Sequence, residues 1–122
     1  MAVPNSGVNS FFNVAVDEDP AVTVFAHPAL LFFIHVINPN TTDCFLQCFD
    51  ALLADVTVGT TTPKYSFLLP GGTGASNRGV YDGAFAVPLT FTTGLVIAVT
   101  TGATTNGAPL SDAIVNLGYL TA

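Results

Sequence analysis

The chain has 122 residues, of which 50% are hydrophobic and 8% charged, with eight acids against two basic residues and a formal charge of -6. So few Lys and Arg exclude the phosphate-neutralising surface of a nucleic-acid binder and argue against docking on an anionic bilayer. A folded protein of this mass exposes roughly 6,000 Å², over which ten charged side chains leave wide neutral tracts, as on a subunit whose surface lies against other protein.

In chain order, residues 1–11 are small, polar and turn-prone and read as an N-terminal arm; residues 12–122 read as one domain with one core. Strands are expected at 12–16, 21–26, 30–37, 44–49, 55–58, 65–69, 85–91, 95–100 and 113–120, each short, rich in β-branched or aromatic residues and bounded by Gly, Pro, Asn or Asp. The apolar tract 21–37 is interrupted by His27, Pro28 and His35 and is too short for a membrane helix, so it reads as core. Segment 43–55 has an approximate helical period at Leu46, Phe49, Leu52 and Leu53, but it alternates equally well. A strand followed by an irregular corner at 51–54 is favoured. Sixteen threonines suit a pleated surface and oppose helix.

The connections set the fold class. Asn38-Pro39-Asn40 and Thr92-Thr93-Gly94 are turns with clear chemistry, whereas 70–83 and 101–112 are long. Long loops between short strands imply an all-β, antiparallel, single-domain β-sandwich of jelly-roll or Greek-key kind. Met1 to Val16 contains no basic residue, so synthesis in a cytoplasm without a secretory leader is expected.

Candidate chemistry is sparse, and no catalytic residue, cofactor or metal is assigned. On one strand Cys44 and Cys48 would stand roughly 13 Å apart, sharing a face but too far for a disulfide, so both should be buried free thiols. The loop Gly71-Gly72-Thr73-Gly74 lacks the Gly-Lys-Ser/Thr ending of a phosphate loop and reads as a flexible surface loop. Ser76 lies outside any nucleophile elbow, and the sequence assigns neither histidine an acid partner. His27 and His35 are expected as hydrogen-bonded core or interface residues. Asp17-Glu18-Asp19 reads as a solvated turn, with a cation between subunits as the alternative. Asn40-Thr41-Thr42 matches a glycosylation sequon by chance. On so acidic a chain Lys64 and Arg78 are candidates for fixing register against a partner, together with Phe11, Phe12 and Tyr81 as contacts with another subunit or a larger assembly.

The segments 55–63 (DVTVGTTTP), 67–72 (FLLPGG) and 91–101 (FTTGLVIAVTT) resemble small virion structural proteins of tailed bacteriophages, over roughly residues 30–120. The resemblance implies a β-sandwich that assembles on the particle, in the manner of trimeric capsid decoration or cement proteins. It carries no catalytic residue. The expected role is therefore a homotrimeric decoration protein at the capsid surface, with itself and the major capsid protein as partners. A tail, collar or fibre subunit is the alternative, and a lectin-like module, for which only Tyr81-Asp82 groups an aromatic with an acid, a more distant one.

Overall fold

The computed structural model describes residues 8–74 and 76–122. Among them eight strands form: β1 (Asn9–Val16), β2 (Val22–Phe25), β3 (Ala29–Asn38), β4 (Cys44–Asp50), β5 (Tyr65–Leu69), β6 (Gly79–Phe91), β7 (Leu95–Thr100) and β8 (Ala113–Thr121), with one 3-10 turn at Leu53–Asp55. They make two four-stranded sheets, of order β1-β8-β3-β6 and β2-β7-β4-β5. Every pairing is antiparallel. The first strand pairs with the last, the second with the seventh, the third with the sixth and the fourth with the fifth, as in a long hairpin folded over on itself. That winding is the jelly roll.

Alternation explains how each strand takes its place. In β4, Cys44, Leu46 and Cys48 point into the space between the sheets, and in β7 Leu95, Ile97 and Val99 do the same. Leu31, Ile34 and Val36 of β3 meet Val115 and Leu117 of β8 in the same core. The odd spacing of Leu31 and Ile34 is made possible by a bulge, since Leu31 pairs with Tyr119 but Phe33 with Gly118. Along the β5–β6 side, Phe67 lies 5.9 Å from both Tyr81 and Phe85, and Tyr65 lies 5.8 Å from Phe91, so packed rings close the gap between the sheets.

One end of the sandwich is tied by buried amides. Asn38 is 1% and Asn40 5% exposed. Asn38 Nδ2 donates to the carbonyls of Thr42 and Leu69 at 3.0 and 3.1 Å, and its Oδ1 accepts from Asn40 N. Asn40 in turn exchanges two hydrogen bonds with the backbone of Ser111. The 38–43, 70–78 and 101–112 loops are thus held against one another. Gly71 and Gly72 belong to this junction: a Cβ on Gly71 would sit 2.5 Å from Thr41 O, and one on Gly72 2.2 Å from Asn77 O. The glycines permit backbones to cross closely, so this part of the loop is packed instead of free.

Three expectations need correction. The sandwich starts at Asn9, not at residue 12, because Phe11 packs against the core; residues 1–7 of the expected arm lie outside the described residues. Segment 55–58 is not a strand: Val56 and Val58 lie over Phe49, Val96 and Ala98 as a lid, so their apolar character reflects covering, not pairing. β6 begins at Gly79, six residues earlier than expected, so the glycine-rich loop is shorter.

Candidate functional site

The two sheets differ on their outer faces. The face of β2-β7-β4-β5 is covered by its own chain. Phe49, Val96 and Ala98 are buried beneath Ala21, Val56 and Val58. Beside them Gln47, fully buried, donates from Nε2 to Thr100 Oγ1 and to the carbonyls of Gly102 and Thr105, which brings the 101–112 loop down onto the sheet. This is why all six residues of β7 are buried, although half of them point outward.

The outer face of β1-β8-β3-β6 carries no such covering among the described residues. The register builds it row by row. Phe12, Asn116, His35 and Asp82 lie side by side across the four strands. On one side of this row come Ile114, Ile37 and Val80, with Val14 beside them on β1. On the other come Ser10, Gly118, Phe33 and Ala84, then Leu120 and Leu30. Phe12 is 63%, Val14 57%, Val80 47% and Phe33 38% exposed. Gly118 leaves the space that the Phe33 ring occupies, since a Cβ there would fall 2.0 Å from Phe33 Cε1. The ring therefore lies close against the sheet.

The titratable residues of this row are His35 and Asp82, and they are hydrogen-bonded to each other through Nδ1 and Oδ1. The Asp82 carboxylate thus already has a hydrogen-bond partner within the chain, so a molecule lying on the face need not supply that bond. This pair, 47 residues apart in sequence, is the acid partner that the sequence did not assign to a histidine. Its row is completed by Asn116 and Phe12, neither of which is a nucleophile. The signal that could have located the face is β3 itself, where apolar residues occupy both alternating sets.

At the outer edge of the same sheet β6 bulges. Ala84 pairs with Phe33 and Leu89 with Leu31, so residues 85–88 of β6 stand opposite Phe32 alone. Val87, on this bulge, is 79% exposed. A regular strand at 85–91 would not have presented it.

Of the expected contact residues, Phe12 alone points out from the apolar face. Phe11 and Tyr81 pack against the core. The inward ring of Tyr81 also removes the aromatic on which the lectin-like alternative depended. Lys64 is held within the chain: Nζ donates to Thr90 O, lies 3.5 Å from Asp50 Oδ2, and sits over the rings of Phe91 and Tyr65 at 5.6 and 5.9 Å. Arg78 is exposed in the 70–78 loop. His27 is exposed, with its ring 5.5 Å from Phe25, so it is not a core histidine.

The acidic turn lines a cleft of about 490 Å³, in which Glu18 and Asp19 face Leu53, Val56, Thr57 and Asn106. Loss of solvation, the nearby Asp17 carboxylate and a hydrogen bond to it push the Asp112 carboxyl above its ordinary range. Among the described residues no group of three or more His, Cys, Asp or Glu is placed to hold a metal ion. Cys44 and Cys48 are buried free thiols, and burial pushes Cys48 up to about 12. In comparisons with known proteins, no family model and no curated sequence matches this chain.

Proposed function

We propose that this chain is a virion structural subunit, a homo-oligomeric decoration protein that binds the outside of a tailed-bacteriophage capsid lattice. The observation that carries the reading is the contrast between the two sheets: one clothed by the chain's own loops, the other an apolar face whose one carboxylate, Asp82, is hydrogen-bonded to His35. A face so poor in charge suits permanent assembly, because burying it desolvates a single carboxylate that already has a hydrogen-bond partner. The jelly roll is compatible with the role, being an architecture shared by capsid and lectin domains. The short segment resemblance to phage virion proteins supports it independently of the geometry.

On a shell, each subunit adds a modest contact, and many copies acting on one particle give strong retention through effective concentration. The test is to mix the purified protein with capsids assembled from the major capsid protein encoded in the same genome. Co-sedimentation, together with a raised temperature of capsid disruption, is expected. Binding to purified tails but not to capsids would move the subunit to the tail or fibre, and binding to neither would remove the virion reading.

A further inference from the structure

We infer that the bare face of the β1-β8-β3-β6 sheet is covered by a second copy of this chain, whose β6 bulge seats Val87 on it, and that this contact repeats to close a homotrimer. The inference rests on the reading of the chain as a homo-oligomeric subunit and adds to it the surface, the partner and the geometry.

Charge selects the partner. With eight acids against two bases, two copies repel wherever carboxylates face each other. Asp17, Glu18, Asp19, Asp43 and Asp112 sit on the turns and loops at the end tied by Asn38 and Asn40, and Asp55 lies on the lid over the opposite sheet. Asp50 lies at the turn that joins β6 to β7, bound to Thr92 and Thr93. Asp82 alone belongs to the bare face, and it is paired there with His35. This face is therefore the broad surface through which two copies of so acidic a chain can meet with least repulsion.

Area is sufficient. Four strands about 4.8 Å apart and seven residues long present roughly 450 Å² in projection. That is over half of the about 800 Å² each partner contributes to a stable interface. The β1 edge and the bulge supply the remainder, and β1 has neither a charge nor a proline in Asn9–Val16 to discourage contact.

The geometry follows from having two different apolar features on one molecule. The face is broad and includes Phe12 and Phe33; Val87 protrudes from the β6 edge. A protrusion on one copy meeting a face on the next is a heterologous contact, which closes only as a ring. Three subunits make the smallest such ring.

The test is sedimentation of the wild type, Phe12→Glu, Val87→Glu and the control Leu110→Glu, with circular dichroism to show that each stays folded. Leu110 is 94% exposed on the 101–112 loop, away from the face. Wild type and control should run as trimers and the other two as monomers. Mixing Phe12→Glu with Val87→Glu should give dimers, because one has an intact protrusion and the other an intact face. Monomeric wild type, trimers in all four proteins, or no dimer on mixing would each overturn the inference. Capsid co-sedimentation of the same proteins separates the two readings: a monomer that binds capsids removes this interface and keeps the virion role, whereas a trimer formed as described that binds no particle does the reverse.

Discussion

The carboxylate of Asp50, at the end of β4, binds Thr92 twice, accepting the backbone N–H and the hydroxyl at 3.0 Å each. The N–H of Thr93 adds a third bond, at 2.8 Å. A residue of one sheet thus clamps the short turn that crosses from the other, since β6 and β7 belong to different sheets and do not form the hairpin that Thr92-Thr93-Gly94 suggests. Loss of solvation would raise the Asp50 carboxyl, but the bonds from Thr92, Thr93 and Gly94 outweigh it and hold the group below its ordinary range.

Removing this clamp by Asp50→Ala should lower stability by about 1–3 kcal/mol, the usual cost of leaving hydrogen-bond donors without their partner. A carboxyl depressed in the folded state contributes above its unfolded value and loses that contribution as pH falls through the folded one. Urea titrations of both proteins should therefore show a gap at neutral pH that narrows below the usual 3.8. A gap unchanged into the acid range would mean that Asp50 acts through packing alone.

Asn38 holds the loop end by donating to the carbonyls of Thr42 in the 38–43 loop and Leu69 at the end of β5, so its amide nitrogen cannot be replaced by an oxygen. Asn38→Asp would turn a buried acceptor toward those carbonyls and is expected to cost about 3 kcal/mol or more, against about 1–3 for Asn38→Ala. Equal stability of the two variants in chemical denaturation would show that water reaches the site. The sequon at Asn40 should stay unmodified even in a secretory host, because its amide is committed to Ser111 and buried.

Strand chemistry and the cysteine geometry were legible because they depend on local spacing. Tyr65–Leu69 and Leu95–Thr100 have the expected bounds, since both are short runs flanked by turn residues. What escaped depends on long-range register. Whether Val56 and Val58 pair or cover cannot be read from alternation, as both uses need an apolar residue at every second place. Likewise His35 and Asp82 meet only because β3 and β6 share a register. The sparse charge pointed to a surface made for contact; it could not say which sheet remained bare.

The thiols give a direct check on the core. Cys48 is wholly buried and its thiol is pushed up to about 12, so little thiolate exists at neutral pH, and Cys44 is raised as well by burial. Both should resist alkylation in the native protein and react fully in denaturant without reductant. Fast labelling of Cys48 under native conditions would mean that the two sheets separate readily.

If the subunit attaches to a particle by one end of the sandwich, a truncation distinguishes the two ends. β1 begins at Asn9 opposite Tyr119, and Ala122 N bonds to Pro28 O, so the start of β1 and the end of β8 lie by the β2–β3 connection. The acidic loops tied by Asn38 and Asn40 lie at the other end. Deleting residues 2–7 leaves the whole of β1, including Phe11 in the core, and should change the melting temperature little. If the N-terminal segment anchors the subunit on the particle, the truncated protein will remain oligomeric but co-sediment weakly with capsids. Undiminished co-sedimentation would move the contact to the loops at 70–78 and 101–112. Loss of the folded state would show that the first residues complete the β1 edge of the sheet.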